Sequence, residues 1–337
     1  MSVDTALAQT SNNLVYSAMA VYAIALGAFA VDLADLGDAA RARTLARRAP
    51  VAVGASAAGA PPRRPAGGPA SGPTAARAEA ASGERRAARI AVTMTWLALL
   101  LHTGAVVARG VSASRVPWGN MYEFTLTGSA VVTAVFAVTL LRRDLRYLGA
   151  FVIGPVLLSL GLAVAVLYTE SAQLVPALQS YWLVIHVSIA FISSALFTIA
   201  FSSTVLQLVQ ERRELARTAG RTPGGGRFMD ALPPSEELER ASYRLIAVSF
   251  PLWSFTLVAG AIWAEVAWGR YWNWDPKEVW TFVIWVVYAA YLHARATGGW
   301  GGRRAAWVSV AGFVCLLINF GVVNVFFPGN HSYAGIG

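Results

Sequence analysis

The chain has 337 residues, 56% of them hydrophobic and 13% charged, with a mean hydropathy of +0.52. That composition excludes a water-soluble domain of this length and predicts an all-α integral membrane protein. The net charge of +9 comes from arginines set between apolar runs, the pattern of inner membrane loops, so it gives no reason to expect nucleic-acid binding.

Apolar runs of about 18 or more residues can cross ~30 Å of hydrocarbon as helices, and they predict a bundle of about eight transmembrane helices. They fall at approximately Leu14 to Val31, Ile90 to Ala108, Phe124 to Leu141, Leu148 to Tyr168, Tyr181 to Val209, Leu245 to Ala267, Lys277 to Ala294 and Ala305 to Phe327. The first run is preceded by acidic Asp4 and no basic residue, the reverse of a signal peptide, so residues 1–31 are read as an N-terminal transmembrane helix. Residues 32–89 include "VAVGASAAGAPPRRPAGGPASGP", which has no aromatic residue to seed a core and predicts a disordered cytoplasmic loop. The remaining seven runs form one core over 90–337.

Within that core the fifth run is longer than a crossing needs and projects inward through "VLQLVQERREL". The next inner loop, "RTAGRTPGGGRFMDALPPSEELER", carries a Gly-rich turn too weak to argue phosphate binding, then a serine with acidic residues that suits the start of a short helix. With the N-terminus outside, all of the 27 Lys and Arg residues except Arg109, Arg115, Arg270 and Lys277 fall on inner segments. The positive-inside rule therefore puts both termini and the stretch "WGRYWNWDPKEVW", residues 268–280, on the extracytoplasmic side. The one cysteine, Cys315, allows neither an internal disulfide nor a CxxC motif, so thiol chemistry would come from a partner.

Imidazole is a common metal ligand and is costly to leave unpaired in lipid, which singles out the four histidines. His186 lies about 7 Å from the outer end of the fifth span, and His331 follows the eighth span on the same side. Two histidines at the level of a tryptophan-rich platform suit a metal held between two axial imidazoles. His293 is about 25 Å down the seventh helix, and His102 about 20 Å from the inner face of the second. These two are not level, so a shared metal would need tilt or a break, and a partner subunit could supply the second ligand for His293. The plain alternative for any one buried histidine is a hydrogen bond to a neighbouring helix.

Tryptophans at a membrane boundary commonly act as headgroup anchors. Here Trp268, Trp272, Trp274 and Trp280 are concentrated with Tyr271 in one short turn, a flat apolar surface at the water boundary. Asp275, Pro276 and Glu278 match a capping box that starts the seventh helix. What remains is an aromatic plate flanked by Arg270 and Lys277. A porphyrin has a flat apolar ring, two carboxylates and a metal with axial positions, which plate, cations and histidines match in turn.

At this point "WGRYWNWDPKEVW" resembles the tryptophan-rich WWD motif of membrane haem-handling proteins, most closely the CcsA branch, also called CcsB or ResC-like in some lineages. "PWGNMYEF" (117–124), "SYWLVIHVSIAFISSALF" around His186, "YLHAR" around His293 and "GNHSYAG" around His331 extend the resemblance over residues 90–337. It implies the haem-binding subunit of the system II cytochrome c synthase (haem lyase), with haem b held non-covalently as substrate. The implied site has His186 and His331 as outer axial ligands and Trp268, Arg270, Tyr271, Trp272, Trp274, Asp275, Lys277 and Trp280 around the cofactor. His293 becomes a transmembrane ligand, and His102 either a local substitute or a packing residue. No residue takes a catalytic role. The implied partners are a ResB-like (CcsB-type) membrane subunit, an apocytochrome c with CxxCH and a thiol-reducing protein. Glu265 is left either paired with Arg270 or water-exposed, and Glu123 either opens the third helix or belongs to a platform. Two other readings compete: a system I-type haem transporter or chaperone that delivers to a separate carrier, and a non-haem transferase using Asp275 and Glu278, which leaves the histidines unexplained.

Overall fold

The computed structural model describes residues 4–48, 73–174, 178–222, 224 and 226–331. Eight of the helices among these residues are long and apolar enough to cross a membrane. They are α1 (Thr5–Arg48), α2 (Pro73–Ser112), α3 (Met121–Arg142), α4 (Gly149–Ala165), α5 (Tyr181–Thr218), α6 (Ser235–Trp268), α7 (Pro276–Thr297) and α8 (Gly302–Leu317). α8 runs on through a π-helical turn, Ile318–Val323, and a last turn, Asn324–Phe326. No strand occurs among the described residues, and the chain is an all-helical, multi-pass membrane protein.

α1 and α2 run past their apolar stretches, to Arg48 and back to Pro73. Ala, Leu and Arg are good helix formers, which suits these extensions. Residues 32–89 therefore hold helix on both flanks; the centre of the loop expected there, 49–72, lies outside the described residues.

α1 packs chiefly along α2, and α5 along α6. One core, built around Tyr22, Phe29, Phe136, Ile153 and Leu160, joins α1 to α4. A second joins α5 to α8 and contains Phe197 stacked on Tyr288 with ring centres 3.8 Å apart. A third, with Phe191 and Trp263, is covered by Trp118 and Phe124.

Side chains from one helix close the ends of another. The expected helix start at Ser235 is real but begins the long α6, and it is capped from α5: Glu214 accepts from the Ser235 amide at 3.0 Å and its hydroxyl at 2.5 Å. Glu239 of α6 accepts from the Gly302 amide at the start of α8, at 3.0 Å, and pairs with Arg295. At the other end Asn120 caps α3 by accepting from the Glu123 amide at 2.9 Å. Arg109 and Arg115, assigned by sequence to outer loops, are buried against Glu123 at 3.0 and 2.7 Å. Arg109 also donates to the Thr169 carbonyl at 2.6 Å, and Arg115 to the Ala172 carbonyl at 2.8 Å. Glu123 is thus the buried centre of an ion triad tying the α2–α3 turn to the segment after α4.

Candidate functional site

α6 ends at Gly269, whose φ of 70° lies in the left-handed region and lets its amide close back on the Glu265 carbonyl at 2.7 Å. The chain then crosses residues 270–275 with Trp274 also left-handed, at φ 58°, an unfavourable conformation for a bulky side chain. Asp275 reverses the direction. Its Oδ1 accepts from the Lys277 amide at 3.0 Å, while Glu278 Oε2 accepts from the amides of Asp275 at 3.1 Å and Asn273 at 2.8 Å. With Pro276 in the first turn this completes a capping box. Asp275 does more than cap: Oδ2 accepts from the Asn330 amide at 2.6 Å, and Oδ1 lies 2.9 Å from His331 Nδ1. Burial pushes the Asp275 carboxyl up, but the hydrogen bond from His331, with those from the Asn330 and Lys277 amides, outweighs it and holds it below the usual carboxylate range.

Above this turn lies a cavity of about 260 Å³ between α5, α6, α7 and α8, lined by His186, Gly260, Trp263, Trp272, Lys277 and His331 among others. His186 Nδ1 is 2.9 Å from the Thr256 carbonyl, an acceptor, so in the neutral ring the hydrogen sits on Nδ1 and Nε2 is the bare nitrogen. Asp275 does the same for His331. The two rings are linked by an aromatic series: His186 to Trp263 at 5.6 Å, Trp263 to Trp268 at 6.3 Å, and Trp268 to His331 at 5.0 Å between centres.

Gly260 makes room for His186, since a Cβ there would stand 2.8 Å from the ring's Cε1. Gly260→Ala is expected to push the imidazole out of its slot and cost ~1–3 kcal/mol, the usual penalty for overpacking a filled site, read as a lower thermal midpoint.

The structure divides the residues singled out by sequence. Tyr271 and Trp272 line the cavity with the two histidines, and Lys277 does too. Trp268 packs edge-on against His331. Trp274 is 76% exposed, in edge contact with Trp272 at 5.8 Å, and Trp280 is partly buried on α7 outside the cavity lining. The cations differ from expectation. Lys277 Nζ donates to the Asn319 carbonyl at 2.8 Å and to Asn324 Oδ1 at 2.9 Å, so it ties α7 to the π turn rather than flanking the plate as a free charge. In the π turn the hydrogen-bond ladder is reset, which frees carbonyl acceptors of this kind. Arg270 lies 3.6 Å from Glu278 and 5.8 Å from the Trp268 ring centre, so its partner is Glu278, not Glu265. His102 is fully buried, its Nδ1 3.2 Å from the Tyr22 hydroxyl between α1 and α2 and not in the cavity. His293 is exposed on α7. No group of three or more His, Cys, Asp or Glu forms a metal cage among the described residues. Sequence reasoning missed Trp263, Gly260 and Thr256, whose only signal was the depth they share with His186.

The family model described as Cytochrome C assembly protein matches residues 118–331, which contain the cavity, both of its histidines and the tryptophan turn. Cytochrome c biogenesis protein CcsA of Prochlorococcus marinus is 38% identical over 250 residues, 68% of this chain and 78% of that protein. The CcsA protein of Gloeobacter violaceus is 34% identical over 286 residues, 70% of this chain and 84% of that protein. The solved structure of Cytochrome c Heme Lyase CcmF superposes with a TM-score of 0.59 at 14% identity, over 95% of this chain and 47% of that one, a likeness of fold alone.

Proposed function

Because the chain belongs to the cytochrome c assembly protein family and so acts in cytochrome c biogenesis, we propose that it is the haem-binding subunit of a system II cytochrome c synthase. In this reading it moves haem to an extracytoplasmic site and presents it to a CxxCH apocytochrome c.

One observation carries the proposal. His186 and His331 line the same cavity, and each ring has its Nδ1 occupied, by a carbonyl at 2.9 Å and a carboxylate at 2.9 Å, so both offer Nε2. That donor set fits a haem held between two imidazoles, and Trp263, Trp272 and Tyr271 supply the flat apolar walls. When bound, the haem supplies vinyl groups that form thioether bonds with the substrate's thiols. The chain's residues do the rest: the histidines fix the iron, the aromatic walls shield it, and the side at exposed Tyr271 stays open to a peptide. We assign Arg270, in the turn and facing Glu278, to a haem propionate, whereas Lys277 holds the turn to α8.

His293, exposed on α7, has no ring partner in its own chain among the described residues. Its exposure is compatible with a transmembrane haem site completed by a ResB-like (CcsB-type) subunit, and the reading includes a separate thiol-reducing partner that keeps the apocytochrome cysteines reduced. In this arrangement the tryptophan turn and both termini are extracytoplasmic, residues 1–31 and 90–337 are the anchor and the haem-handling core, and 32–89 is the inner linker.

The purified protein, with its partner subunit, is expected to show the visible spectrum of non-covalent, six-coordinate bis-imidazole haem b. A haem-free preparation from haem-replete cells would overturn the proposal.

A further inference from the structure

The two histidines that face the cavity are mounted in different ways. His186 is the sixth residue of α5, its Nδ1 bound to a carbonyl in the body of α6, and its ring fills the space left by Gly260 beside Trp263. Moving it requires shifting one packed helix against another. His331 lies on the non-helical segment after Phe326. Its Nδ1 is 2.9 Å from Asp275 Oδ1, and the neighbouring Asn330 amide donates to Oδ2 of the same carboxylate at 2.6 Å. Both contacts are made by residues 330 and 331, outside any helix. Asp275 itself stays in place, 7% exposed and fixed by the capping box.

We infer that His331 is the exchangeable axial ligand of this site and that Asp275 is its latch, while His186 is the permanent ligand. The inference rests on the haem reading above. It assigns the fate of each bond when the product leaves: the imidazole Nε2 of the CxxCH histidine takes the axial position from His331 Nε2. One iron–nitrogen bond replaces another, with no electron or proton transferred. His331 withdraws on the 327–331 segment, and the return of Asn330 and His331 to the two oxygens of Asp275 resets the site. Asp275 is a positioning residue, since it reaches the iron only through the imidazole it orients.

The test uses the full chain with its partner subunit and a synthetic peptide in which both cysteines of CxxCH are replaced by serine. This peptide offers the histidine without forming thioethers. Amide hydrogen exchange is read over 327–331 and over the first turns of α5. The peptide is expected to speed exchange at 327–331 at least tenfold and leave α5 unchanged. Asp275→Asn keeps a good N-cap and so keeps α7, but it turns one carboxylate oxygen into an amide donor that cannot serve both Asn330 and His331. It should speed exchange at 327–331 without peptide, and convert part of the bound haem to a five-coordinate spectrum that added imidazole returns to six-coordinate. Faster exchange in α5 instead, or an unchanged 327–331 segment with both peptide and Asp275→Asn, overturns the inference. A wild-type protein that holds no haem overturns the haem reading, and the exchange of Asp275→Asn against wild type still decides whether Asp275 is the latch.

Discussion

His186→Ala is expected to abolish covalent cytochrome c formation, and imidazole at millimolar concentration should recover little of it. His331→Ala should also fall at least tenfold, yet regain most of its yield with the same additive. The difference follows from access. The space left by His186 lies between Trp263, the α6 backbone at Thr256 and the Gly260 face, so a free imidazole reaches the Thr256 carbonyl only by entering between packed helices. The His331 side is at the cavity mouth, its side chain 23% exposed, and Asp275 remains there to receive the Nδ1 hydrogen of an added imidazole. Cytochrome yield per unit of membrane-inserted protein measures both. Equal rescue of the two variants would contradict the asymmetry, and full activity of both without additive would remove the site.

The second large effect is on stability and lies away from the cavity. Glu123→Gln is expected to cost ~3–5 kcal/mol, because it leaves two arginines facing a neutral amide in a place where Arg109 and Glu123 are fully buried and Arg115 nearly so. Unfolding by denaturant in detergent, and the thermal midpoint, would report it. Glu123→Asp keeps the charge but shortens the reach, so it should fall between wild type and Gln. A loss below ~1 kcal/mol for Gln would mean that the triad tolerates a neutral centre, as the hydrophobic replacement of some buried ion networks does.

The membrane helices were legible because their apolar runs are long and charge-poor, and the start of α7 was legible because Asp275, Pro276 and Glu278 spell a cap in local sequence. The level of His186 and His331 could be counted from helix ends, and the structure does bring both to one cavity. Their second partners could not be counted. Asp275 read as a cap because that role is local, whereas its hold on Asn330 and His331 depends on how the segment after α8 returns across the bundle. Lys277 read as a surface cation for the same reason; its true acceptors, the Asn319 carbonyl in the π turn and the Asn324 side chain just after it, lie more than forty residues away in sequence. Glu123 and its two arginines sit close together on the first outer connection, but nothing in the sequence marks them as one buried unit, which depends on the contacts of Arg109 and Arg115 with the 169–172 stretch. Trp263 and Gly260 were hidden in an apolar run, where neither residue type carries a positional signal of its own.

The return of the 327–331 segment to Asp275 also sets a clock on biogenesis. The chain enters the membrane from its N-terminal side, so His186 and the tryptophan turn are in place while α8 is still being made. Asp275 already caps α7 at that stage, but its other oxygen has no Asn330 amide and the cavity has no second imidazole. On the proposed haem reading, a nascent chain is one ligand short until α8 has threaded and residues 327–331 have folded back. A ribosome that stalls or drops off before α8 then leaves a product that does not compete for the cell's pool of iron porphyrin.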